Sequence, residues 1–255
     1  MSEQAGGYFV TEPIKGRIGG TPVNYDGKTD ITSNERETYY QTKICFGRAN
    51  AWGEDDFVTE ITGTNFEAEA SEVKEYWDEI KQSTVLSILK GIFSMADTAG
   101  AAFVAKHTTT VAGNLDADTC NKAAQKALGD RKAKLEVMYM HSAVSTNLEG
   151  LNLINFLKYT DAQGIERDLT IGTYNGRLVI VDDDMPVESK GSGDSAYNEY
   201  TTYMFKNGFF EFEDLGVKVP SEVARDAKTN GGHTDLSRAR KMQAGVLTTL
   251  LFRID

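Results

Sequence analysis

The chain has 255 residues, enough for one sizeable hydrophobic core or two small ones, and its 40% hydrophobic and 25% charged residues exclude global disorder. Its 38 acidic against 27 basic residues leave a net charge of −11, a sign that repels phosphate backbones and disfavours a sequence-independent nucleic-acid clamp. No window reaches the roughly 20 continuous apolar residues of a membrane helix, and residues 1–7 lack the apolar stretch of a secretory signal, so a cytoplasm and no membrane partner are expected.

From Gly6 to Trp52 the sequence is glycine-rich and strand-prone, with Gly19-Gly20 and Asp26-Gly27 as turn signals and residues 39–46 as an extended run. Too few apolar residues lie here for a separate core, so the segment reads as an arm and a long two-stranded loop laid across something else. Thr64-Asn65-Phe66-Glu67 fits the S/T-x-x-E capping box that opens a helix. Phe66, Ala70, Val73, Trp77, Ile80, Thr84 and Ile88 then recur at helical spacing, and Val85, Leu89, Ile92 and Phe93 widen the stripe. A helix running to Met95 is about 45 Å long. Glu67, Glu69, Glu72, Glu75, Asp78 and Glu79 form its polar side, whereas its second half is apolar nearly all round and is expected to be buried between layers. Trp77, with Tyr76, reads as core or interface rather than as a ligand cage.

Residues 98–114 read as a small-residue loop, 116–132 as a second helix with Cys120, Ala123, Ala124, Ala127 and Leu128 on one face, and 135–140 as a strand. Ser142 is the expected cap of a shorter helix ending near Leu153. Asn175-Gly176 and Asn207-Gly208 each supply the positive φ of a type I′ turn, predicting hairpins between 169–171 and 178–181 and between 200–205 and 209–212. Lys190-Gly191-Ser192-Gly193 reads as a mobile surface loop.

Candidate chemistry is sparse. His107, His141 and His233 sit in different segments with no partner at a ligand spacing, and structural hydrogen bonding is the expected role of each. Asp182-Asp183-Asp184 is the most site-like acidic cluster, because adjacent carboxylates bind hard cations, but alternation along a strand sends neighbours apart and a solvated strand end is the expected reading. Cys45 and Cys120 read as reduced, packed small hydrophobes with no zinc or dithiol spacing. Gly16-Arg17-Ile18-Gly19-Gly20 lacks the lysine and helix of a phosphate loop, and Gly191-Ser192-Gly193 lacks a strand-to-helix elbow. Arg225, Lys228, Arg238, Arg240 and Lys241 bias the C-terminal stretch towards positive charge and read as a solvated face. No catalytic residue, metal or cofactor is expected.

The extended start closing on Gly47-Arg48-Ala49-Asn50-Ala51-Trp52, the long helix, the second helix, the Met140-His141-Ser142 strand end, the Asn175-Gly176-Arg177 hairpin running into Val181-Asp182-Asp183, and the strand at 200–205 follow one another in an order that resembles tailed-phage and prophage major capsid proteins. That resemblance spans roughly residues 6–232. It implies an α+β fold of the Hong Kong 97 type: 1–64 as an N-terminal segment with an extended loop, 65–134 as a peripheral domain with its spine helix, 135–215 as an axial domain, and 216–255 as a return to the peripheral domain with the C-terminal tail. It also implies a non-enzymatic subunit assembling into the icosahedral head of a phage or prophage. Its partners would be copies of itself in pentamers and hexamers, with scaffold and portal proteins, and double-stranded DNA contacted weakly if at all. It would lie in the virion capsid, after a period in the host cytoplasm. Tyr39, Tyr40, Phe46 and Trp52 are the expected contact residues. The sequence departs from the family in starting near Gly6 and, past Gly232, in losing the usual closing strands, which suggests a shortened member; no crosslinking pair carries over. The alternatives are an encapsulin-like compartment shell and a cytoplasmic metal-dependent enzyme or ligand binder using Asp182 to Asp184.

Overall fold

The computed structural model describes residues 7–31, 33–63, 70–160, 166–246 and 251–255. They fall into two units, one within 1–66 and 210–246, the other within 67–209 and 247–255.

The first unit opens with strands β1 (Phe9–Lys15) and β2 (Thr38–Asp55), paired antiparallel from Phe9↔Ile44 to Lys15↔Thr38. This is the expected two-stranded loop. Pro13 lies in β1, which has β2 as its one neighbour, so the amide that proline lacks falls on a free edge. Helix α1 (Asp56–Thr62) follows and ends at Gly63, whose φ of 70° and N–H to the Thr59 carbonyl close its last turn.

In the second unit the long helix is α2 (Ala70–Phe93), about 36 Å by its 24 residues; its expected capping box at 64–67 lies outside the described residues. Val73, Trp77, Thr84, Leu86, Leu89 and Phe93 are buried, while Glu72, Glu75, Asp78 and Glu79 are exposed. The second half does not bury its whole circumference as expected: Ser83, Ser87, Lys90 and Gly91 face solvent. A second correction concerns 98–107, which is helix α3 (Thr98–His107) and not a loop. Asp97 caps it by accepting from the Gly100 N–H at 3.1 Å, and the alanine-rich run that follows has the highest helix propensity of any residue type.

Strand β3 (Thr108–Thr109), α4 (Thr119–Leu128), a 3₁₀ turn over Gly129–Lys134, β4 (Val137–Met140) and α5 (Ser142–Gly150) come next. The cap of α5 is His141 instead of Ser142: its Nδ1 accepts from the Ala143 N–H at 3.0 Å. Strands β5 (Ile154–Thr160), β6 (Glu166–Tyr174), β7 (Arg177–Val181), β8 (Val187–Lys190), β9 (Tyr197–Tyr200) and β10 (Thr202–Phe205) complete this stretch. Asn175 and Gly176, at φ 50° and 74°, make the expected hairpin between β6 and β7.

The chain then returns to the first unit through β11 (Phe210–Leu215), β12 (Ser221–Asp226) and β13 (His233–Val246), and ends in the second with β14 (Leu251–Ile254). Two expectations fail here. Asn207-Gly208 does not fold β10 back on β11, because β10 pairs β4 and β14 whereas β11 pairs β13. Only Gly208 of that pair has positive φ, so the turn redirects the chain from one sheet to the other. The C-terminal stretch, expected to lack closing strands, forms β13 and β14.

The first sheet runs β1-β2-β13-β11, with β12 also on β13; the second runs β3-β14-β10-β4-β7-β6-β5; β8 and β9 form a separate hairpin. One face of the seven-stranded sheet, carrying Met138, Met140, Ile154, Tyr174, Val179, Met204, Phe252 and Ile254, packs in one cluster with Cys120, Ala123 and Ala124 of α4 and Leu148 of α5. On the other face Tyr203 stacks on Phe93 of α2 at 5.5 Å, with Arg253 over the same ring. Among the described residues no single helix is long and apolar enough to cross a membrane.

Candidate subunit interface

The ribbon of β1 and the first half of β2 is built to stay extended while covering little of its own chain. Its base is closed by the Gly16 N–H to the Glu37 carbonyl at 2.8 Å and by Arg36 Nε donating to the Gly16 carbonyl at 2.6 Å. Gly16 is required there, because a Cβ would stand 2.8 Å from both the Glu37 carbonyl and the Tyr39 ring. Further out, the Asp26 carboxylate accepts from the Lys28 and Thr29 amides and the Thr29 hydroxyl, which lowers its pKa to about 2. At the inner end Lys43 Nζ lies 2.9 Å from Glu12 of β1 and 2.8 Å from Glu211 of β11. The two carboxylates raise its pKa and pin the ribbon to the sheet.

Along this scaffold Tyr8, Phe9, Ile18, Val23, Tyr25 and Ile31 are exposed, with Tyr25 at 91%. Of the expected contact residues, Tyr39 and Tyr40 are 55% and 74% exposed on the ribbon. Phe46 and Trp52 sit lower on β2, opposite Met242 and Leu236 of β13, and are partly covered by their own sheet. Helix α1, which the sequence reading did not single out, buries nothing and exposes Phe57, Val58 and Ile61 on one side. The i, i+4 spacing of Phe57 and Ile61 was the available signal.

Where β2 meets β13, His233 bridges Asp55 (Nδ1 to Oδ1, 2.6 Å) and Asp235 (Nε2 to Oδ1, 3.3 Å), and Asn230 adds a hydrogen bond to Asp55. The hydrogen bond to Asp55 raises the His233 pKa, and His233 in turn lowers that of Asp55. Arg225 is paired with Asp56, and Arg240 lies 3.4 Å from Asp214. The cationic run expected at 225–241 is thus partly neutralised by its own unit.

The other candidates resolve into structure. Asp182 is buried and accepts from the Tyr139 hydroxyl, the Gln82 amide and the Asp184 N–H, whereas Asp183 is exposed 3.8 Å from His141 and Asp184 is exposed. The three carboxylates therefore do not converge, and among the described residues no trio of His, Cys, Asp and Glu gathers as a metal site. His107 is sandwiched between Phe103 and Phe252, at 4.2 and 4.6 Å, and its Nδ1 donates to the Leu251 carbonyl at 2.8 Å; burial lowers its pKa. Cys45 and Cys120 are buried free thiols, and burial pushes Cys120 up to about 11.

No family model matches the chain. It is 29% identical over 227 residues to the major capsid protein of Bacillus phage SPP1, a match covering 87% of this chain and 65% of that protein. The chain thus spans slightly less than two thirds of the length of that relative. Among solved structures it superposes on the cyanophage Pam1 capsid with a TM-score of 0.60 at 13% identity, covering 98% of this chain and 86% of that one. On the mature capsid of bacteriophage PhiM1 the TM-score is 0.59 at 11% identity, covering 98% and 82%. The fold is that of these phage shells, the Hong Kong 97 type.

Proposed function

We propose that this chain is a major capsid subunit that self-assembles into the icosahedral head of a tailed phage or prophage enclosing double-stranded DNA, with no chemistry of its own. The observation that carries this reading is the sequence relationship to a phage major capsid protein together with a pinned ribbon whose aromatic side chains its own chain leaves in water. Fully burying one such side chain is worth about 1.5–3 kcal/mol, and a contact repeated around a closed shell multiplies that gain. In this reading Tyr39, Tyr40, Phe46 and Trp52 contact sister copies. Residues 65–134 and 216–255 serve as the peripheral domain, 135–215 as the axial domain, and scaffold and portal proteins are transient partners in the host cytoplasm.

The Asp182 strand end supports no competing enzyme, because the residue most central to it is already saturated by Tyr139 and Gln82. Negative-stain micrographs of the purified or scaffold-co-expressed protein test the reading. Shells, rings or capsomers are expected; a monodisperse monomer at every concentration and salt tried would remove it.

A further inference from the structure

The segment that closes α4 carries positive charge that is only partly paired among the described residues. Lys122, Lys126, Arg131, Lys132 and Lys134 stand within 13 residues of one another, interrupted by a single acid, Asp130, in a chain of net charge −11. Lys122 has Asp118 at 3.6 Å, but Lys126, Arg131, Lys132 and Lys134 are exposed and, among the described residues, have no acidic partner within salt-bridge distance. The bland account is the helix dipole, whose negative end attracts cations at a C-terminus. It covers Lys126, in the last turn of α4, and fails for the other three, which lie beyond the helix in the 3₁₀ turn Gly129–Lys134. In such a turn positions i and i+3 eclipse, so Arg131 and Lys134 project on one side about 6 Å apart along the axis.

We propose that this turn is a surface for the phosphate backbone of nucleic acid, which in the head proposed above is the packaged duplex. Composition decides between that and a protein partner. Between Leu115 and Glu136 no large apolar side chain is exposed, and protein interfaces are depleted in lysine and centred on apolar anchors. Backbone contact to nucleic acid needs only cations on flexible stems. The sign contrast also orients the subunit: the acidic remainder is repelled by duplex while this turn is drawn to it.

The inference rests on the capsid reading for its biological setting but not for its test. Fluorescence anisotropy of a labelled random-sequence duplex is followed against salt with the full chain. Four phosphate contacts give a slope of log affinity against log salt of about −3.6, so raising salt from 50 to 200 mM weakens binding about 150-fold. The variant K126Q/R131Q/K132Q/K134Q is expected to lose most of the affinity at 50 mM and to flatten the slope, whereas K126R/K132R/K134R, which keeps every charge, binds as wild type. Unaltered affinity and slope in the glutamine variant, no duplex binding by wild type at 50 mM, or equally tight binding of polyglutamate of matched charge would each overturn the proposal. Micrographs of the same preparations separate the two ideas. Shells from a glutamine variant that still binds duplex normally remove the surface and leave the capsid reading; absence of shells beside charge-dependent duplex binding does the reverse.

Discussion

Asp182 illustrates how a residue that looks reactive in sequence is consumed by structure. Its carboxylate is the shared acceptor for Tyr139, Gln82 and the Asp184 amide, so Asp182→Ala leaves the buried Tyr139 hydroxyl and two further donors without their acceptor. A loss of about 2–4 kcal/mol in urea unfolding is expected, against a shift within about 0.5 kcal/mol for Asp183→Ala, and millimolar calcium should move neither midpoint. His233 gives a pH signature. Its raised pKa contributes stability fully present below about pH 6.5 and lost as pH rises through the folded value; the lowered pKa of Asp55 contributes above its ordinary 3.8 and is lost as pH falls. The difference in melting temperature between wild type and His233→Gln should therefore be largest between about pH 4 and 6.5 and shrink on either side. At this scale the sequence revealed which residue types were present but not their partners. Asp55 meets His233 only because β2 and β13, nearly 180 residues apart at this point, are neighbours.

Elements were legible where a local signal sufficed. Asn175-Gly176 encodes its hairpin through positive φ at both positions, and Gly176→Ala at φ 74° is expected to cost about 1–2 kcal/mol by chemical denaturation. The identical dipeptide at Asn207-Gly208 misled, because a turn signal says where a chain bends and not which strands then pair. Helix α3 was hidden by reading small residues as loop although Asp97 and the alanines favour a helix. The long strand β13 carries too mixed a pattern to be seen alone; its pairing with β2, β11 and β12 is what makes it a strand. The ribbon itself was visible in its glycines and extended run, but not the clamp that aims it. Lys43→Met removes the link between Glu12 and Glu211, and amide exchange in β1 should accelerate while that in the centre of β13 stays unchanged.

For the molecule as a whole, the order of elements carried more information than any motif. A fold whose members share little identity, 11–13% here, is preserved by which strands and helices follow one another, so a sequential reading reached it while its pairings stayed out of view. The account makes separable demands on stability and assembly. Tyr39→Ala with Tyr40→Ala should lower the melting of the isolated chain only slightly, since both side chains are more than half exposed, yet raise the concentration needed for assembly by at least tenfold in light scattering. The measurement closest to the central claim is a cryo-electron microscopy map of the assembled particle. The account predicts Tyr25, Tyr39 and Tyr40 of each ribbon covered by a sister subunit; ribbons folded onto their own subunit, or standing in solvent within an intact shell, would contradict it.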